Sequence, residues 1–173
     1  SITTSRIETE QPQAPKGWPA RKPLRSPVIV GKRSRLLLGD GRRVDVEYIA
    51  ADPYDIVTTH NPLAGYAPDP TGDSNERPYQ HLTEGQASRQ TVLNIEHDTD
   101  PSLLLTDDPT PTNGPPMVTG DLRTVGGNAR AMGLLRSIAY RSPMSKPYRE
   151  AALARAEQYG LDRSAMEAMP RVA

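Results

Sequence analysis

Residues 26–59 read SPVIVGKRSRLLLGDGRRVDVEYIAADPYDIVTT, and this stretch decides the fold class. Val44, Val46 and Tyr48 alternate with Asp45, Glu47 and Ile49, the two-residue period of a half-buried strand. Gly39-Asp40-Gly41 is turn chemistry, so the run Arg35–Leu38 is expected to fold back on that strand as a β-hairpin. Val28–Val30 and Ile56–Thr58 are each short enough to add a flanking strand. Three or four strands with one apolar face make a small β unit over residues 28–58. The glycines do not form a phosphate loop of the Walker type, because the spacing and the Lys-Ser/Thr ending are missing.

The flanks differ in kind. Residues 1–27 carry Pro12, Pro15, Pro19, Pro23 and Pro27 at three- or four-residue intervals. Each proline fixes φ and pushes its predecessor to extended geometry, so this segment is expected to be a polyproline-like basic arm. Residues 59–90 show little periodicity and read as an irregular acidic linker. Residues 91–106 contain two apolar runs, TVLNIE and SLLLT, which read as short strands joined by an acidic turn, HDTD. Residues 107–127 form a second linker rich in proline and glycine.

The last block, residues 128–173, is helical in pattern. Met132, Leu135 and Ile138 recur at three-residue spacing behind Asn128, a good capping residue for a helix over residues 129–140. Ser145 can cap a second helix that Gly160 ends, and Asp162 a short third one over Arg163–Met169, stopped by Pro170. The second and third resemble a helix-turn-helix in the spacing of Ala156, Gly160, Leu161 and Met166. The expected fold is therefore α+β with low regular secondary-structure content: a small antiparallel β unit, a C-terminal helical hairpin and long extended arms.

Composition agrees with a sparse core. Leu, Ile and Val together fill 31 of 173 positions and phenylalanine is absent, while proline occurs 18 times. That apolar share falls under the roughly 20% associated with disorder, although basic and acidic residues cancel at 21 each. Neutrality conceals segregation: residues 1–43 hold ten Lys/Arg against three acids, 44–121 hold two against fourteen, and 122–173 hold nine against four. Such blocks are solvated faces, internal partners for one another, or interaction surfaces. Without cysteine there is no disulfide framework, thiolate metal site or cysteine nucleophile. No apolar run is long enough to cross a membrane, and the first twenty residues lack a signal-peptide core.

No motif names a reaction. His97, Asp98 and Asp100 are the metal-ligand candidates, but helical His-x-x-x-His spacing is absent, and Asp100-Pro101 is also a turn dipeptide. No Gly-x-Ser-x-Gly elbow accompanies the serines. The residues singled out for partners are Trp18, Arg21, Lys22, Arg25, Lys32, Arg33 and Arg35 in the basic block, with Met132, Leu135 and Ile138 on the first helix. On these grounds the chain is expected to be a non-enzymatic component of a large assembly. A bacteriophage virion accessory protein, as capsid cement, connector or tail, fits this composition first, with its arms bridging neighbouring protein subunits. The alternative is a cytoplasmic nucleic-acid-binding protein using the basic N-terminal arm and the helix-turn-helix-like hairpin. No cofactor, membrane or small-molecule substrate is expected.

Overall fold

The computed structural model describes residues 2–7, 23–38, 40–71, 79–80, 85–106, 113–169 and 171, with backbone only for the first of these segments. Its organisation is α+β with low regular content. A five-stranded sheet has the order β2-β3-β1-β6-β7, and a separate two-stranded pair is formed by β4 and β5. The strands are β1 Ile2–Ile7, β2 Ile29–Leu37, β3 Arg43–Ala51, β4 His60–Asn61, β5 Ala67–Pro68, β6 Met117–Val118 and β7 Thr124–Gly126. The helices are α1 Gln86–Asp98, α2 Pro101–Leu104, α3 Asn128–Ala139, α4 Ser145–Ala154 and α5 Arg163–Glu167.

The hairpin forms as the alternation implies. β2 and β3 pair antiparallel from Leu37 opposite Arg43 to Ile29 opposite Ala50, with a bulge between Val30 and Arg33. Gly41, at φ 86°, takes the left-handed conformation the turn needs and that a side chain disfavours. Val28–Val30 is not a separate flanking strand, since Ile29 and Val30 belong to β2. Ile56–Thr58 forms no strand; Val57 alone makes a parallel bridge, to Arg123. β3 is also more buried than a half-exposed strand, because every residue from Val46 to Ala51 is inside. Both its faces are covered, which is how a central strand is stabilised.

Two expectations about strands are corrected. TVLNIE lies inside α1, and SLLLT begins in α2. HDTD is accordingly the end of α1 and the turn into α2. In it Asp100 accepts the Ser102 N–H at 2.9 Å and Pro101 occupies the first helical turn, where its missing donor costs nothing. The linker expected over 59–90 contains β4, β5 and the start of α1. The arm expected over 1–27 opens with β1, which sits between β3 and β6. The prolines 12, 15 and 19 lie outside the described residues.

The helices cover the sheet through one main core. Tyr48, Ile49 and Ala50 of β3 meet Leu134 of α3, Tyr148 and Ala152 of α4, and Met166 of α5. The turn between α4 and α5 also closes part of the sheet edge, because the Lys32 N–H donates to the Tyr159 carbonyl at 2.8 Å. Gly160, at φ 67°, packs there so closely that a Cβ would sit 2.9 Å from the Lys32 nitrogen. A smaller cluster of Tyr66, Tyr79, Val92 and Met132 joins α1 and α3 beneath the β4–β5 pair. Among the described residues, no helix is long and apolar enough to cross a membrane.

Candidate phosphate-binding site at the start of α3

Two chain segments run side by side to one point. The Val57 N–H donates to the Leu122 carbonyl at 3.0 Å and the Thr124 N–H donates to the Val57 carbonyl at 2.8 Å. Residues 57–60 therefore travel alongside β7, and both arrive at the first turn of α3. There the Thr59 N–H donates to the Asn128 side-chain oxygen at 3.1 Å. Asn128 is not the cap but the first helical residue, and the cap position is Gly127, at φ 72°.

This helix start is open for an anion on electrostatic grounds. The first bond within the helix runs from the Ala131 N–H to the Gly127 carbonyl, so the N–H groups of Asn128, Ala129 and Arg130 precede it. No side chain caps them. The Arg130 guanidinium folds back over the same turn: a Cβ on Gly127 would lie 2.6 Å from its terminal nitrogen. Burial pushes the Arg130 pKa down from its ordinary value, because the charged form is partly desolvated. The positive end of a helix dipole favours an anion, and the Arg130 guanidinium adds positive charge over the same turn. A strand leading through two glycines into a helix N-terminus is the backbone arrangement that brings donors close to such a group. At Gly126 a Cβ would come within 2.5 Å of the Met117 terminal methyl, which would have to swing aside.

The floor of the site is aromatic. His60 is buried, its Nδ1 is 3.0 Å from the Thr59 hydroxyl, and its ring lies 4.8 Å from that of Tyr79. Tyr79 in turn stacks on Tyr66 at 5.7 Å. Burial holds the His60 pKa below its ordinary value. Arg136 and Glu96 brace the helix from behind: Nε donates to the buried carboxylate at 2.8 Å, and the Ser142 hydroxyl donates to its other oxygen at 2.9 Å.

A groove of about 570 Å³ lies beside these residues, between Arg25, Tyr54, Thr58, Asn61 and Leu135. Its polar groups are already used internally. Asp55 accepts from the Arg25 and Ser26 N–H groups, the Thr58 hydroxyl donates to the His60 carbonyl, and Asp69 accepts from Thr71. The helix start, with donors in excess, is the better candidate.

The residues chosen from sequence meet different fates. His97, Asp98 and Asp100 do not converge: His97 pairs with Glu96 at 3.6 Å, Asp98 ends α1, and Asp100 caps α2. Among the described residues no three His, Asp or Glu side chains are grouped to hold a metal ion. Met132 and Leu135 are buried inside this chain, and Ile138 packs against its main core, so they are not anchors for another protein. Arg25 stays exposed, its guanidinium 5.1 Å from the Tyr54 ring. Lys32, Arg33 and Arg35 are exposed on β2. Trp18, Arg21 and Lys22 lie outside the described residues. Not chosen from the sequence were Gly126, Gly127, Arg130 and His60. The signal present for the first three was the pair of glycines followed by Asn128 and a helical pattern.

No curated protein and no solved structure matches the chain. A family model matches residues 39–171, from the hairpin turn through β7, the α3 start and α5, and by that match the chain belongs to the family described as the ddrB-like ParB superfamily domain.

Proposed function

We propose that the chain is a nucleic-acid-binding module that receives a phosphate group at the first turn of α3. The carrying observation is the strand–Gly–Gly–helix start, with uncapped backbone donors beneath the Arg130 guanidinium, in a chain whose family points to a nucleic-acid-related role. The reading keeps the nucleic-acid alternative drawn from the sequence but relocates it. α5 is short, its Arg163 is paired with Glu167 at 2.8 Å, and the turn before it is committed to the sheet edge. A recognition helix needs polar side chains free to reach base edges. The virion-accessory reading rests on composition and draws no support from the family match.

The phosphate belongs either to a free nucleotide or to a nucleic-acid backbone, and titration separates the two. Fluorescently labelled nucleoside triphosphate and labelled duplex and single-stranded oligonucleotides are each titrated with the protein, with Arg130→Gln and Gly127→Ala alongside. Alanine at Gly127 costs about 1–2 kcal/mol for the left-handed conformation and displaces the guanidinium. Both variants are expected to weaken binding about tenfold or more while keeping a folded amide spectrum. Wild-type affinity in both variants would overturn the assignment of the site.

A further inference from the structure

We propose that the outer part of the β2–β3 hairpin is a second contact, which grips the backbone of duplex DNA; this rests on the nucleic-acid reading above. β1 pairs with β3 only from Val46 to Ala51. Beyond that register, among the described residues, Arg43–Asp45 of β3 pairs with Arg35–Leu37 of β2 alone, so the hairpin leaves the sheet as a two-stranded ribbon. A ribbon of two strands is marginal by itself, and it has the dimensions to enter the major groove of a duplex.

Its outer face is set by register. Alternate residues share a face, so Arg33, Arg35 and Leu37 lie together on β2, all exposed, while Leu36 between them is buried. Arg43 stands opposite Leu37 and Asp45 opposite Arg35. From Lys32 to Asp45 the ribbon carries Lys32, Arg33, Arg35, Arg42 and Arg43 against Asp40 and Asp45. The two carboxylates pair within the ribbon, Asp45 with Arg35 at 3.2 Å and Asp40 with Arg42 at 2.7 Å. Arg33 stands opposite Glu47 of β3, so the cations in excess are Lys32 and Arg43, and both face solvent.

The contrast with the C-terminal block makes this more than a solvated face. There two cations turn inward onto the acidic middle of the chain: Arg136 meets Glu96 at 2.8 Å and Arg171 meets Asp52 at 2.9 Å. The ion pairs of Arg35 and Arg42, by contrast, close within the ribbon and leave its positive charge on the outside. The Tyr159 carbonyl covers the β2 edge only at the Lys32 N–H, so the ribbon beyond it stands clear of the helices. Positive charge on a projecting ribbon, with an apolar Leu37 at its centre, fits a polyanion with grooves.

The test measures duplex affinity against salt for the wild type, for K32Q/R35Q/R43Q and for R35K/R43K. Removing one cation from a DNA phosphate makes the log–log salt slope shallower by about 0.9 on duplex DNA, so the triple variant is expected to flatten it by about 2–3 units. Its affinity at low salt should fall at least tenfold, and the lysine variant should restore most of the slope. The triple variant should also keep wild-type binding of nucleoside triphosphate at α3. Unchanged duplex affinity and slope in a folded triple variant would overturn the ribbon contact and leave the α3 site standing. A wild type that binds no duplex at low salt would overturn the ribbon contact, one that binds no nucleoside triphosphate either would overturn the α3 site as well, and equal or tighter binding to single strands would overturn the duplex assignment.

Discussion

Gly133→Ala tests the packing that holds the α3 start in place. A Cβ at Gly133 would fall 2.4 Å from Ile95 Cγ2 and 2.6 Å from Ile95 Cβ, with the Val92 carbonyl oxygen at 3.2 Å. Carbon contacts are optimal near 3.5–4.0 Å, so α1 must retreat from α3 by about 1 Å or more. Overpacking costs about 1–3 kcal/mol, and a clash with a β-branched side chain and a backbone oxygen together belongs to the upper half of that range, about 2–3 kcal/mol. Alanine recovers about 0.8–1 kcal/mol of helix propensity relative to glycine. The expected net loss is therefore about 1–2 kcal/mol, or a fall in Tm of about 2–8 °C for a chain of this size. Thermal unfolding followed by circular dichroism reads it directly. The partner variant Ile95→Ala removes Cγ2 but leaves Cβ, so the double variant should be less destabilised than the sum of the singles, by about 0.5–1 kcal/mol. A Tm equal to or above wild type in Gly133→Ala would refute the reasoning, because helix propensity would then outweigh a clash that does not exist.

Protonation of His60 gives a second expectation. Because burial lowers its pKa in the folded chain, the unfolded chain takes up the proton more readily. Its contribution is therefore fully present above its ordinary value of 6.5 and is lost as pH falls from there toward the lowered folded value. Denaturant midpoints measured down that range should fall, and His60→Gln should flatten the fall. Asp55→Ala removes the acceptor of the Arg25 and Ser26 N–H groups, at 2.8 and 3.1 Å, and should cost about 2–3 kcal/mol by chemical denaturation. Finally, a chain shortened to residues 39–173, the start of the family match, loses both β1 and β2. It should show no cooperative unfolding transition, and a folded, dispersed amide spectrum from it would count against the sheet order described here.

The sequence made some elements legible and hid others for physical reasons. The hairpin and the three C-terminal helices carried local signals: a glycine turn, an Asp162 side chain that accepts the Ala165 N–H at 3.1 Å, and apolar residues at helical spacing. α1 was misread because its inner face includes a charge. Val92 and Glu96 are its buried residues, four apart, and a carboxylate that finds Arg136 and Ser142 inside breaks the apolar period that marks a helix. α2 was hidden by an ambiguity, since Asp-Pro begins a turn or caps a helix equally well. β1, β6 and β7 are recognised by partners far away in sequence, and a six-residue or two-residue strand has no period of its own. The α3 site went unread because most of its chemistry lies in backbone N–H groups and glycines, and Arg130 alone among many arginines carries no local mark.

The place of β1 also sets an order of events. Its antiparallel partner β3 follows a few tens of residues later, but its parallel partner β6, with Ser5 beside Met117, lies most of the chain away. A strand that must wait for so distant a neighbour cannot finish its sheet until that neighbour has been synthesised, and closing long loops slows the step. β2 and β3 can pair at once, whereas the junction of β1 with β6 should form late. The same junction ties β1 to the β6–β7 turn that leads into α3, so a strand made before β2 and β3 completes the support of the proposed phosphate site after them.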